Sequence, residues 1–500
     1  MALSDLKFLG GWNERLLILL LGIAAGLRVF VYSAGFPFFS NIDEDLHFDL
    51  VTQYSNGQLP RSFAPLQDET LNWIVPYASP EFLVSPERFP HRRFPAPLWK
   101  KTGPSVGEEI AVTRAAWSSE INFESSQPPL YYVVASLWWR MGKTLGAVGI
   151  QRLYWVRFLN VLLIALVVWL GYATARMVGP DRMDLRIGVP LLLAFIPQNV
   201  FYAMNNDVLS PICVGALFLC VLQWVRAATP SIWRGALTGL AIAAAYLTKV
   251  SNSPAIVVAL AVVIVRLSQM IRQKGRNAFP ALAALLLVAA IPIAGWMAWE
   301  KFHFGDLTGS NGKTALLDWT RKPFTDWWQH PIFTLRGLCI FWSDLIGSFW
   351  RGEGNWHNQP FNWGLIDKFY AISPLIVLAT GIIGLRKHAG LSAFERQGIG
   401  IAILMFAAGV AFLGLLSIRF DFGTCVNPSR EHPYFTSGRL LSGTLIPFAL
   451  IYVHGFSCAL RRAGPTLTLI VFAGILMLVT ASEISINRVV FLSEHNWFHR

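Results

Sequence analysis

Leu16–Phe39 reads LLILLLGIAAGLRVFVYSAGFPFF. After Ser40 it gives way to Asn41-Ile42-Asp43-Glu44-Asp45-Leu46-His47-Phe48-Asp49. The first part is apolar and longer than the ~20 residues that a helix needs to cross a bilayer. The second sets four carboxylates and one imidazole where the chain leaves that bilayer. A plain exit loop takes one or two polar residues. At ~3.6 residues per turn, Asp43 and His47 share a face of any helix that starts here, with Asn41 or Asp43 as its cap. Two readings stand side by side. One is a solvated, capped helix start. The other is a carboxylate placed for acid–base work, its pKa tuned by partial desolvation.

The 500 residues are 54% apolar and 14% charged, with a mean hydropathy of +0.47. A soluble chain is about a quarter charged, so the composition predicts a polytopic, all-α membrane protein. The net charge of +12 does not call for nucleic acid. The basic residues gather in short loops between apolar runs, as positive-inside bias requires. Cys213, Cys220, Cys339, Cys425 and Cys458 show neither a CxxC nor a zinc spacing. They read as packing residues, with a Cys339–Cys425 bridge left open. Lys7 and Arg15 precede the first run, which lacks a small-residue cleavage site. It therefore reads as a retained helix rather than a signal peptide.

Read in order, the chain predicts about eleven spans: 13–34, 157–176, 187–204, 208–226, 234–250, 254–271, 279–299, 364–385, 396–417, 438–458 and 465–482. Lys7 and Arg15 put the first start inside, so Asp43 emerges outside. Arg176, Arg182 and Arg186, then Arg226 and Arg234, then Arg266, Arg272, Lys274 and Arg276 fall inside under the same register. This register makes 129–147 an interfacial or re-entrant helix. Residues 40–128 form a first large outer loop, 301–363 a second with an interfacial stretch near 333–350, and 483–500 an outer tail. Residues 1–500 read as a single membrane domain with no clear repeat.

The outer face then collects the Asp43 cluster, Asp207, Lys249, Asp306, Glu353, His357 and Arg439, all near helix ends. Asp207 opens an apolar run as a cap or as a functional carboxylate. Lys249 either snorkels to water or binds a phosphate as a point charge. Arg439, next to Gly438, is either an interfacial anchor or a bidentate ligand for a lipid phosphate. Carboxylates, cations and a wide outer loop at one face suggest group transfer from a lipid-phosphate donor. A carboxylate deprotonates an acceptor hydroxyl, the hydroxyl attacks the anomeric carbon, and a cation holds the departing phosphate.

Four stretches in order carry a resemblance: Asp43-Glu44 with His47, Gln127-Pro128-Pro129-Leu130-Tyr131-Tyr132, Asn206-Asp207, and Gly438-Arg439-Leu440-Leu441. In these the chain resembles the GT-C superfamily of polytopic glycosyltransferases, and most the branch of protein O-mannosyltransferases and lipid A aminoarabinose transferases. The resemblance implies a GT-C-like fold whose active site faces the periplasm from a bacterial inner membrane. It implies a polyprenyl-phosphate-linked sugar donor, a membrane-lipid environment, and a hydroxyl acceptor on a lipid, glycan or protein. It makes Asp43 the general base with Glu44 as its partner, and Asp207 a group holding acceptor or donor. Arg439 becomes the phosphate contact, with His47, Lys249, Gln127 and Asn206 lining the substrate site. Leu440 stands where the branch often has Tyr, and the first loop is long for it. Some superfamily members use a divalent cation such as Mg or Mn. Asp43, Asp45 and Asp207 are the hard oxygen ligands available for one, and no motif requires it. The competing readings are a flippase or transporter of a lipid-linked saccharide, and an oligosaccharide ligase with a pyrophosphate-linked donor.

Overall fold

The computed structural model describes residues 11–39, 43–274, 277–362, 364–387 and 391–499. Lys7, Asn41 and Arg276, singled out above, lie outside them. The described chain is helical almost throughout. Its helices are α1 (Gly11–Gly35), α2 (Glu44–Ser55), α3 (Asp68–Tyr77), α4 (Ser105–Trp117), α5 (Leu130–Thr144), α6 (Ile150–Val178), α7 (Met183–Phe195), α8 (Ser210–Arg226), α9 (Ile232–Thr248), α10 (Ser253–Lys274), α11 (Phe279–Phe304), α12 (Ser310–Leu316), α13 (Leu335–Arg351), α14 (Gly364–Lys387), α15 (Ala393–Arg419), α16 (Leu445–Ala459) and α17 (Gly464–Asn487). Two-residue pairings of 320–321 with 420–421, and of 355–356 with 359–360, are the only β ladders among the described residues. All five cysteines are free, so Cys339 and Cys425 form no bridge.

Among the described residues, nine helices are long and apolar enough to cross a membrane. This is an all-α polytopic membrane protein. The remaining two of the eleven expected spans fall on shorter helices, α7 and α9. The expected span 187–204 is helical only as far as Phe195. Pro197 disfavours the α conformation at the residue before it, and Ile196 is extended (φ −66°, ψ 126°). The apolar residues beyond it fold as two 3-10 turns, Asn199–Tyr202 and Asn206–Leu209, and these turns carry Asn206 and Asp207.

The helix Gly438–Ala459, a 3-10 turn leading into α16, is buried over 89% of its apolar window, against 22% for Phe279–Phe304. Thus α16 is the axis of the bundle and α11 faces lipid. The α9–α11 pair is close: a Cβ on Gly235 would sit 2.1 Å from the Ala281 carbonyl oxygen. Without a hydrophobic drive between helices in lipid, such small-residue contacts hold them together.

Ion pairs tie α1 to its neighbours. Within the bundle, Arg28 meets Glu483 of α17 at 3.1 Å, and Tyr202 joins both. At the C-terminal end of α1, Arg157 of α6 grips Glu44 at 2.5 and 2.6 Å and also donates to the carbonyls of Ser33 and Pro37. Glu44 in turn accepts the backbone N–H groups of Phe39 and Met204, each at 2.9 Å. Both side chains of this pair are fully buried.

Asp49, also fully buried, holds the first large loop. It accepts from Gln53, Thr70 and Asn122 and from the Gln67 backbone at 2.7–3.1 Å. The α5 helix stacks Trp138 on Trp155 in the first turns of α6, ring planes 8° apart, and so sits at the Asp43 end. The tail comes to the same end, with Trp497 edge-on to Tyr154 and Ser493 donating to Glu81. The α13 helix is amphipathic, burying Phe341, Leu345, Phe349 and Trp350 and exposing Arg336 and Asp344.

Replacing Arg157 by Met should strand the Glu44 carboxylate and cost about 3–5 kcal/mol of stability, as for other buried pairs broken on one side. The double variant with Glu44→Gln should recover part of that loss. Thermal unfolding in detergent of the single and double variants checks both outcomes.

Candidate functional site

The site gathers at the ends of three elements: the start of α2, the turn that opens α8, and the turn Gly438–Thr444 that opens α16. Asp43 stands at the N-cap of α2 but does not cap it. Its backbone is left-handed (φ 54°, ψ 30°) and its side chain makes no cap bond. A non-glycine residue held there carries local strain. The carboxylate turns outward instead and meets the Arg439 guanidinium at 2.7 Å, across 396 residues of sequence. Glu353 flanks the same arginine. One of its oxygens lies 3.7 Å from Nε, and the other accepts from the Arg439 backbone (3.2 Å) and from Ser437 (2.7 Å). Asp43, Arg439 and Glu353 keep 25%, 19% and 28% of their side chains exposed. Glu44 and Arg157 keep none, so a ligand can reach the first group and not the second.

Gly438 allows this approach. A Cβ there would fall 2.1 Å from the Phe349 nitrogen. The Gly438 N–H donates to Ser348. Asn199 holds Glu353 from behind, accepting its N–H and donating to its carbonyl.

Below this mouth lies a second pair. Asp207 and Lys249 meet at 2.5 Å, with Asp207 fully buried and Lys249 nearly so. One Asp207 oxygen faces no hydrogen-bond donor. Arg439 lies within electrostatic reach of both Asp207 and Lys249, so the two pairs form one cluster. A polar chain runs alongside: Asn206 donates to Gln127 (3.1 Å), Gln127 to Glu124 (2.5 Å), and Lys313 to Glu124 (2.7 Å). Burial alone would push the Glu124 carboxyl up, but Lys313, with His47 and Lys249 nearby, holds it well below the usual carboxylate range.

His47 bonds Tyr132 at 2.8 Å and is buried. Burial first, then the charges of Lys249 and Arg439, push its pKa down to about 4 against the pull of Glu124 and Asp43. It is a neutral ring at pH 7, a hydrogen-bonding group rather than a cation. Asp45, half-buried, is pushed up to about 7 by burial and then by the Asp43 charge.

The four stretches that carry the resemblance therefore meet in space. Asp43 reaches Arg439, His47 reaches Tyr132, Gln127 reaches Asn206, and Ser442 donates to the Asp207 carbonyl. Three expectations change. Glu44 faces Arg157 and the backbone, so it anchors the cluster instead of sharing the open mouth. Asp306 organises its own turn, accepting from the backbone of Thr308, Ser310 and Asn311. His357 stacks on Phe94 and Trp356, away from the cluster. Asp43 and Asp207, two of the three oxygen ligands considered for a metal, each face a cation. Among the described residues no group of three or more His, Cys, Asp or Glu gathers to hold a metal ion. The sequence reading placed Glu353 on the outer face without giving it a role. A carboxylate between Gly352 and Gly354, two residues from Arg351, was the signal available.

Residues 27–419 match the family described as "Predicted membrane protein (DUF2142)". The chain belongs to this family. The matched residues take in Asp43, Asp207, Lys249 and Glu353 and stop short of Arg439. No curated protein matches the sequence. Among solved structures, the chain is similar to the archaeal oligosaccharyltransferase AglB from Archaeoglobus fulgidus, determined in complex with an inhibitory peptide and a dolichol-phosphate. Identity is 11% and the TM-score 0.40, over 94% of this chain and 55% of that one. The chain thus spans about half the length of that structure.

Two outcomes follow from the geometry. Gly438→Ala forces the turn away from Phe349, so Arg439 should lose its bonds to Asp43 and Glu353; ligand-binding assays should register a loss while detergent-solubilised protein keeps its helix content. For His47 the folded pKa is lowered, so the unfolded chain binds the extra proton first. Stability is full above pH 6.5 and falls as the pH drops toward about 4. Denaturation of wild type and His47→Gln across that range should show the wild type losing more.

Proposed function

We propose that the chain is a membrane glycosyltransferase of GT-C type, moving a sugar from a polyprenyl-phosphate carrier to a hydroxyl acceptor. The observation that carries this reading is the half-open Asp43–Arg439 pair. It sets a carboxylate and a guanidinium side by side at the reachable edge of an otherwise buried charge cluster. Arg439 presents two N–H groups to the phosphodiester of the donor, which becomes a lipid phosphate monoester as the sugar leaves. The turns that open α8 and α16 add the positive ends of their dipoles, which favour an anion there.

Donor phosphate takes over Arg439, and Asp43 is released from its ion pair. The free carboxylate accepts the proton of the acceptor hydroxyl. The hydroxyl oxygen bonds to the anomeric carbon from the face opposite the phosphate, and the bond from that carbon to the phosphate oxygen breaks. The electron pair leaves with the lipid phosphate, whose added charge Arg439 holds. Configuration inverts. Glu353 keeps the guanidinium turned to the mouth. Lys249 and Asp207 sit beneath it as a paired floor, and Asn206 and Gln127 offer amides to sugar or acceptor hydroxyls. Glu44 positions Asp43 from the neighbouring residue. The basic loops at the other end of α1 and α6 support an active site on the outer face of a bacterial inner membrane.

General-base removal lowers a rate by about 10²–10⁴-fold. Asp43→Asn should therefore bring transfer from a radiolabelled polyprenyl-phosphate sugar down by that order while the protein stays folded. Near-normal transfer by this variant would remove Asp43 as the base.

A further inference from the structure

We infer that the seam between α1 and α6 is a binding site for one anionic phospholipid, in the leaflet opposite the Asp43 cluster. The two helices approach through Gly22 and Gly26. A Cβ on Gly26 would lie 3.3 Å from Val161, and one on Gly22 3.8 Å from Ala165. The close approach leaves a groove of about 710 Å³ on the outer side of the seam. It is walled by Leu19, Ile23, Leu27, Phe30 and Trp169 and reaches Arg15 and Tyr172. A second hollow of about 590 Å³ shares Arg15, Trp169 and Tyr172 and adds Arg176 and Arg226. The two form one continuous surface, apolar along the helices and cationic at its end.

The charges at that end fix the occupant. Arg15, Arg176 and Arg226 are exposed, and none of them pairs with a carboxylate among the described residues. Glu14, the carboxylate nearest in sequence to Arg15, is buried and taken by Arg186 at 3.1 Å. Three guanidiniums beside an acyl-sized groove complement a phosphodiester headgroup with its chains lying along the seam. Arg15 and Gly35 are separated along α1 by about 30 Å at 1.5 Å per residue, the thickness of the hydrocarbon core. The headgroup end therefore lies across the bilayer from Asp43, and the site is independent of the transfer reaction.

The test is lipid retention by native mass spectrometry, with protein released from mixed micelles of equal phosphatidylglycerol and phosphatidylcholine. Wild type should keep phosphatidylglycerol in preference by at least about fivefold, the order expected for one arginine at an anionic headgroup. Arg15→Gln, at an exposed position, should weaken that preference. The triple variant Arg15→Gln, Arg176→Gln, Arg226→Gln should bring it to parity. Ile23→Trp, which fills the groove without changing charge, should lower retention of both lipids together. Equal retention of the two lipids by wild type, or an unchanged preference in Arg15→Gln and the triple variant, would overturn the assignment.

Discussion

Everything at the mouth of the charge cluster depends on one buried contact, the grip of Arg157 on Glu44. Two charges removed from water need nearly every hydrogen bond satisfied, and here they are. Glu44 accepts from Arg157 and from two backbone N–H groups, and Arg157 also donates to the carbonyls that end α1. The contact ties the end of α1, the start of α2, the first turns of α6 and the segment that leads to Asp207. Asp43 is the residue just before Glu44, and its left-handed backbone is held by that knot.

The acidic cluster at the exit of the first span thereby divides its labour. Asp43 faces the open arginine. Glu44 locks the helix ends. Asp45 stays half-buried beside Asp43, its carboxyl pushed up to about 7. Asp49 pins the first loop through four hydrogen bonds. Adjacent residues on a helix point about 100° apart, which separates Glu44 from Asp45, while the left-handed backbone of Asp43 turns it out of the helix altogether.

The membrane helices were legible because apolar length and basic loops are properties of the chain itself. So was the gathering of Asp43, Asp207 and Arg439 at one end of the bundle. The partners were not. Arg157 read as the unremarkable first residue of a span, and nothing in its neighbourhood points to a carboxylate 113 residues earlier. Glu44 and Asp43 are indistinguishable as letters, and only the fold turns one inward and the other out. The break after Phe195 was written in Pro197, but the surrounding apolar residues masked it. Glu353 was one carboxylate among several in a long loop, marked in the chain only by its flanking glycines, and its partner Arg439, in the turn Gly438–Thr444, lies 86 residues on.

The pairing of Arg28 with Glu483 has a consequence for biosynthesis. α1 enters the bilayer carrying an arginine whose counter-charge lies 455 residues later, in α17. Until that helix is made, the guanidinium faces lipid or borrows a temporary partner, and each such residue disfavours a settled position in hydrocarbon. The Arg28 guanidinium therefore gains its buried carboxylate only when α17 packs against α1, so arrival of α17 and closure of that side of the bundle become a single event.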